Sequence, residues 1–518
     1  MILIMNNRKI ITINSFMFFI IIAVITLLGN DSMLNSNVLP HIKAGSWMVE
    51  NGKILSNDIF SYTMDGAKWI NGNWLMQLIY GFLLKYFGLR GIVSFTAIII
   101  ALPFSLIFAY LGKTRANIYV SFLFVYIGCY VSMSQWVIIP FTINFLIITL
   151  FFIIIDSYYR YGGNKIYSLI ILQILWQNLN SDFVFGYFIL GIYIIGVILN
   201  SLLYENTLND IDKTEKKRRV KIMIYVFGGL LLSILANPYG YKLISHTIYL
   251  YRDIFKFRLG EWRSANFHDF AKIFNYFFIF TLGILAFLKK KRVKMEYLLT
   301  ILFWQYMFFF AQRHIAIYII MVIITVPNMI DLEFFKFKWL KKTIEKIENS
   351  SENGLNNRNY YISPVFIVVI IASLFILNSE IEKRYKTEVW KKPLEGIEYL
   401  REYKILGKGI QEEMYGNLLI WEYPEMKVFI DNRTNLYSID IMNDYGKIFD
   451  LGYGWEEQIT KYDPNWIMMR SFTPLRKIYD NLKDNWVMVY DDTYTVIYLK
   501  KDYFNEWEKT LPKDEEEI

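Results

Sequence analysis

A single cysteine in 518 residues, Cys129, lies inside a long apolar stretch, which excludes disulfides and thiolate metal sites. Histidine is almost as scarce. The four present, His41, His246, His268 and His314, are far apart in sequence, and no H-E-x-x-H spacing occurs. A hard cation such as Mg²⁺ or Mn²⁺ stays open, because dispersed carboxylates bind it without leaving a local motif. Fixed-period repeats and long low-complexity tracts are missing. The net charge of +8 does not imply nucleic acid. Its basic excess falls in loops where membrane topology and anionic headgroups account for it.

Apolar length is what the chain has in abundance: 55% of its residues are hydrophobic and 18% aromatic. Crossing a hydrocarbon core of about 30 Å takes ~20 mostly apolar residues in a helix. Eleven stretches approach that length, at roughly 11–29, 91–111, 118–133, 136–155, 166–180, 183–203, 222–236, 273–288, 296–311, 314–330 and 363–378. The expected fold class is therefore a polytopic α-helical membrane protein of about eleven transmembrane helices, followed by a small C-terminal α/β domain. Residues 1–378 form the membrane domain, with long loops at about 30–90 and 237–272, and residues 379–518 form the tail.

Orientation follows from Lys and Arg in the short loops. With the N-terminus cytoplasmic, the cytoplasmic set holds Lys113/Arg115, Arg160/Lys165, Lys213–Lys221, Lys289–Lys294 and Lys336–Lys346. The opposite loops near Ser134–Gln135 and Asn180–Asp182 hold no basic residue. This pattern requires residues 74–89 to be an interfacial helix, since a span there would invert every later loop. The first stretch is too long for a signal-peptide core and reads as a retained anchor. The protein is thus expected in the cell membrane, with its C-terminal domain extracytoplasmic. The polar segment 341–359 reads as a cytoplasmic linker.

In the tail, Leu418–Trp421, Lys427–Ile430, Trp466–Met469, Trp486–Tyr490 and Thr495–Leu499 read as strands, and Tyr437–Phe449 and Thr473–Leu482 as helices. The tail has no Gly-rich phosphate loop and no histidine, which suits a substrate-capturing or structural lid better than an independent enzyme. The Asp210-Ile-Asp212 spacing resembles metal–nucleotide sites, but so short a basic loop cannot hold a folded nucleotide-binding domain. A lipid-linked substrate that arrives within the bilayer fits better.

All four histidines map to the extracytoplasmic side or its boundary. Asp31, Asp58, Asp65, Asp182, Asp253, Glu261, Arg263, Asp269 and Arg313 join them. Ionisable groups at span ends that share one aqueous vestibule are candidate site residues, although each by itself also serves to mark where a helix leaves the bilayer.

The first loop reads His41-Ile-Lys-Ala-Gly45-Ser-Trp47-Met, Asn51-Gly52, Asn57-Asp58-Ile-Phe60-Ser61-Tyr62-Thr63, then Trp69 and Trp74-Leu75. It resembles the extracytoplasmic first loop of bacterial C-type (GT-C) glycosyltransferases, relatives in fold of protein O-mannosyltransferases and lipid-A aminoarabinose transferases. Further matching pieces follow in order. They are Trp176-Gln-Asn178-Leu179, Asn237-Pro238-Tyr239-Gly240, Glu261-Trp262, Phe267-His268, Arg313-His314, Gly416–Trp421, Val428–Arg433, Asp444-Tyr445 and Trp466.

The resemblance implies a polyprenyl-phosphate sugar donor, a cell-envelope acceptor and a carboxylate base just after the first span. It also implies cationic groups for the departing lipid phosphate, a role that Arg263, Arg313 and His314 suit. Yet this chain carries Asn37 where the family has Asp, and Asn73 and Gln77 where acidic residues are expected. An amide cannot accept the proton. Either Asp31, Asp58 or Asp65 takes that role, Asp31 being nearest the span end, or transferase activity has been lost and a lipid-linked-glycan binding protein remains. Asp58 also suits the capping of a turn. His41, Trp47, Asp182, Glu261 and His268 complete the expected substrate contacts, with Trp47 suited to stack on a sugar or to anchor at the interface. A lipid or glycan transporter is the third alternative, although the spans show neither repeated halves nor midplane charges.

Overall fold

A computed structural model of the protein describes residues 36–114, 116, 118–203, 210–253, 262–266, 294–329, 391–482 and 484–511. Three expected spans (11–29, 273–288 and 363–378) lie outside the described residues, as do the linker 341–359, Asp31, Glu261 and His268.

The N-terminal helical part, called the membrane domain for its long apolar helices, contains among the described residues α1 (Leu39–Asn51), α2 (Trp74–Lys113), α3 (Ile118–Ser132), α4 (Ile143–Tyr161), α5 (Ser168–Leu179), α6 (Phe185–Leu203), α7 (Asp210–Leu232), α8 (Lys242–Asp253), α9 (Met295–Phe310) and α10 (Ile315–Thr325). Each of the eight expected spans within the described residues corresponds to one of these helices. By length and composition, four helical stretches among the described residues suffice to cross a membrane: Trp74–Lys113, Pro140–Tyr161, Ser181–Leu203 and Lys213–Ala236. Val120–Gln135, Met295–Phe310 and Gln312–Asn328 are shorter apolar helices. Every residue of α10 is buried. A helix that is apolar all round belongs in the middle of a bundle, and α10 packs on α2, α3, α4 and α9.

Helix α2 is broken at Gly88, whose φ of 64° and ψ of −166° lie in a region that side chains with a Cβ scarcely enter. The break separates residues 74–87 from the apolar run that follows, where the positive-inside pattern requires a division. The N-terminal part of α2 lies flat against α1 because Gly45 and Gly81 face each other. A Cβ on Gly81 would come within 2.3 Å of the Gly45 carbonyl carbon.

The basic run Lys213–Lys221, expected as a loop, is helical as part of α7. Glu215 pairs with Arg218 and Arg219 at i,i+3 and i,i+4, so the charges support the helix in place of interrupting it. The expected span from 136 begins later, since Pro140 opens a short 3-10 turn before α4. Where α2, α4, α6 and α9 meet, the buried Asp156 carboxylate accepts from Tyr110, Arg160, Tyr193 and Tyr297. All its acceptor capacity is used within the bundle.

The tail runs α11 (Lys391–Glu402), β1 (Gly409–Gln411), α12 (Glu413–Glu422), α13 (Ile439–Phe449), α14 (Trp455–Tyr462), β2 (Trp466–Arg470), α15 (Pro474–Tyr479), β3 (Trp486–Asp491), β4 (Thr495–Lys500) and α16 (Lys501–Glu508). Its four strands are ordered β1-β2-β4-β3, with β1 parallel to β2 and the other pairs antiparallel. The expected strands at 466, 486 and 495 are present. Leu418–Trp421, however, is the C-terminal half of α12, and Lys427–Ile430 is not a strand of this sheet.

Both corrections have one cause. These apolar runs are buried at the junction of the first loop and the tail: α12 packs on both α1 and α11, Val428 bridges Ser61 of the first loop, and Phe429 and Ile430 pack on Ile410 and Ile467 of the tail. A short apolar run reports burial, not the partner that buries it.

Candidate functional site

The first loop and the tail are bound to each other through backbone and buried charge. Val428 N donates to Phe60 O at 2.9 Å and Tyr62 N to Val428 O at 3.0 Å, while the Thr63 hydroxyl donates to Phe429 O at 2.6 Å. Below these bonds lies Arg433, with no side-chain exposure. Its Nη1 donates to Asp58 at 2.7 Å, and its Nε and Nη2 grip Asp431 at 2.8 and 2.7 Å. The guanidinium also lies 4.9 Å from the Phe60 ring and 5.1 Å from Trp69. Burial alone would raise the Asp431 carboxyl. The charge and hydrogen bonds of Arg433 outweigh it and hold the group below the usual carboxylate range.

Asp58 itself closes a turn. Its carboxylate takes Ser61 N at 2.9 Å and Ser61 Oγ at 2.6 Å, besides Arg433. It is fully buried and does not line the cavity described next, so the structure places it in the joint between loop and tail.

Between α1, the start of α2, the turn before α4, the Ser181–Val184 turn, α8 and the tail loop after β1 and α12 lies a cavity of about 140 Å³. His41, Asp182, Arg313 and Arg433 bring charge or titratable groups to its wall, and Tyr251, Trp262 and Phe141 bring aromatic faces. Five asparagines complete it: Asn37, Asn73, Asn180, Asn432 and Asn435. His314, Trp47 and Arg263 stand outside this wall. His314 is buried edge-on to Phe185 and Trp262, Trp47 packs on the loop–tail core, and Arg263 is exposed.

Asp182 is positioned by amides. Asn180 caps the turn through its Oδ1, which accepts from Asp182 N at 2.9 Å. Asn144 donates to both Asn180 and Asp182, and Asn73 Oδ1 takes Asn180 Nδ2 at 3.2 Å. The carboxylate then receives the Tyr251 hydroxyl at 2.7 Å on one oxygen and Arg313 Nη2 at 3.2 Å on the other. Arg313 sits between the faces of Phe141 and Trp262, 4.1 and 4.2 Å from their centroids. Burial drives the Tyr251 phenol well above its ordinary value, with the Asp182 charge adding to it, so it stays a donor.

His41 reaches the cavity from α1, where its Nδ1 meets Gln77 Nε2 at 2.9 Å; Gln77 in turn accepts from Asn71 at 2.6 Å. Burial, then the nearby Arg433 charge, push His41 down to about 4, which leaves it neutral at physiological pH. The positions where the resemblance implied acids therefore carry neutral chains. An amide both donates and accepts, so Asn71, Asn73 and Gln77 close these networks with no counter-charge.

A resident divalent cation requires several hard oxygen donors on one centre. Among the described residues no cluster of three acidic, histidine or cysteine side chains has suitable geometry. Among the described residues the cavity wall offers one carboxylate, whose oxygens are already engaged, and two guanidiniums. This donor set does not fit such an ion.

Sequence reasoning missed Tyr251, Phe141 and the tail residues Thr434 and Asn435. The available signal was the polar run Asn432–Asn435 between the apolar Val428–Ile430 and Leu436–Tyr437.

Solved structures share this fold. The archaeal oligosaccharyltransferase AglB from Archaeoglobus fulgidus, in complex with an inhibitory peptide and a dolichol-phosphate, superposes with a TM-score of 0.54 at 10% identity. The match covers 96% of this chain and 75% of AglB. The apo form of the Archaeoglobus fulgidus oligosaccharyltransferase gives a TM-score of 0.52 at 9% identity, with 88% and 69% covered. No family model and no curated protein matches the sequence.

Proposed function

We propose that this chain is a membrane glycosyltransferase that moves a sugar from a polyprenyl-phosphate donor to a cell-envelope acceptor on the extracytoplasmic side. The observation that carries this reading is the Asp182–Arg313 pair on the wall of the cavity, in a fold shared with oligosaccharyltransferases. The dolichol-phosphate bound to AglB is the kind of lipid phosphate such a donor would release.

In this mechanism a carboxylate takes the acceptor proton as the acceptor atom bonds to the anomeric carbon. The bond from that carbon to the phosphate oxygen breaks, and its electron pair leaves on the lipid phosphate. Asp31, at the end of the first apolar stretch, is the proposed base. Asp182 orients Arg313, whose guanidinium would meet the growing phosphate charge, and Phe141 and Trp262 hold its plane. Neutral His41 offers a hydrogen bond without adding charge.

The amide-lined wall favours a second reading, in which the same cavity binds the lipid-linked sugar without turning it over. Sugar transfer by the purified full chain, with a panel of radiolabelled polyprenyl-phosphate sugars and envelope extracts, separates the two. The transferase reading expects product that disappears in Asp31→Asn and falls at least 100-fold in Arg313→Ala. Saturable binding with no transfer from any donor would leave the binding protein.

A further inference from the structure

The cavity has two chemically different ends. The membrane domain contributes the ion pair of Asp182 and Arg313, flanked by aromatic faces. The tail contributes Asn432, Arg433, Thr434 and Asn435. The Arg433 guanidinium is already engaged by two carboxylates, Asp58 and Asp431, so this second end presents amides and a hydroxyl and offers an anion no cation.

Two atoms there stand out. Asn432 Oδ1 and Asn435 Nδ2 are buried and have no hydrogen-bond partner among the described residues. Leaving a buried amide atom unpaired is costly, and such atoms call for a ligand group or a water. Their companions on the same side chains are paired. Asn432 Nδ2 donates to Asn37 O at 2.6 Å, and Asn435 Oδ1 accepts from Trp69 Nε1 at 3.3 Å. Each side chain is therefore oriented, with one acceptor and one donor left over. The loop beneath is rigid, held by three Arg433 bonds to Asp431 and by the Tyr437 hydroxyl at 2.6 Å.

An unpaired acceptor and an unpaired donor on two neutral side chains of one cavity wall suit sugar hydroxyls, since each hydroxyl both donates and accepts. It does not match phosphate, which would be drawn to the guanidinium end. We propose that the tail loop Asn432–Asn435 is the subsite for the sugar of the lipid-linked donor, so that the soluble domain selects the sugar while Arg313 holds the phosphate. This rests on the lipid-linked donor proposed above. It assigns the tail a direct part in recognition, beyond covering the cavity.

The test uses the full chain in nanodiscs and two kinds of probe: bare undecaprenyl phosphate, and undecaprenyl phosphate carrying glucose, galactose, mannose or N-acetylglucosamine. The wild-type chain is expected to bind at least one sugar-bearing lipid more tightly than the bare lipid. Asn435→Ala should cut that preference about fivefold and leave bare-lipid affinity unchanged, whereas Arg313→Ala should weaken both probes together. Asn432→Ala should act like Asn435→Ala, and thermal unfolding of each variant checks that the loop is still docked. Asn435→Ala forfeits only the Trp69 bond, so it serves if Asn432→Ala does not fold. The proposal is overturned if the wild type shows no sugar preference, or if Asn435→Ala leaves that preference intact or weakens both probes equally. A wild-type chain that binds neither probe refutes the donor reading itself, and the sugar subsite falls with it.

Discussion

Replacing Arg433 by methionine tests the joint between loop and tail. The substitution keeps much of the side-chain volume but removes the guanidinium that serves two carboxylates, Asp58 and Asp431, both without exposure. Breaking a buried pair by deleting one partner costs about 3–5 kcal/mol, because the remaining charge stays desolvated. Here two charges are left, though each keeps other donors: Ser61 on Asp58 and Tyr437 on Asp431. A loss of about 4 kcal/mol is expected.

The deficit should also depend on pH. In the native chain Arg433 holds the Asp431 carboxyl low, a contribution that is present above its unfolded value and lost as pH falls through the folded one. Without Arg433, burial dominates and raises the carboxyl. Acid then neutralises the stranded charge, and the variant should recover part of its deficit as pH falls from 7 towards 5. Thermal unfolding of the full chain in detergent, with limited proteolysis of the loop–tail joint, reads both effects. A loss under about 1 kcal/mol that is the same at both pH values would refute the assignment of Arg433 as the central ion of this joint.

Three further outcomes follow from the same geometry. His41 is neutral when folded, pushed down to about 4 from an ordinary 6.5, so its stabilisation is complete above 6.5 and erodes as pH falls towards 4. The loss amounts to about 3 kcal/mol, and unfolding of His41→Gln should be flatter over that window. Gly81→Ala would drive a Cβ against the Gly45 backbone and separate α1 from α2; a loss of about 1–3 kcal/mol is expected, with weaker lipid binding because His41 and Gln77 part. Asn37→Asp keeps the Oδ1 that accepts from Asn417 at 3.2 Å and adds a second carboxylate to the cavity wall. Mn²⁺ should raise the melting temperature of this variant and leave the parent unchanged; equal shifts in both would contradict the donor-set analysis.

How much of this was legible beforehand depends on the range of the interaction. Helices α2 to α7, α9 and α10 could be read from apolar length, because lipid and bundle interior select on composition alone; among the described residues four helical stretches are long and apolar enough to cross a membrane. The division near residue 88 could be read from loop charge, and β2, β3 and β4 from their short apolar runs. The first-loop and tail motifs were visible too, and so was the substitution of amides at Asn37, Asn73 and Gln77.

What the sequence left undecided were the partners of these segments. Leu418–Trp421 and Lys427–Ile430 are buried where the first loop and α1 meet the tail, which local pattern cannot reveal. Asp58 reads equally as base or as cap until Arg433, 375 residues away, is brought to it. The cavity joins Asn37, Asp182, Arg313 and Asn435 from four separate stretches of chain, and only the folded chain decides that they meet. Composition fixed the environment of each segment. Tertiary packing, which acts over distances in sequence that carry no periodic signal, decided which charges were paired and which buried polar atoms have no partner among the described residues.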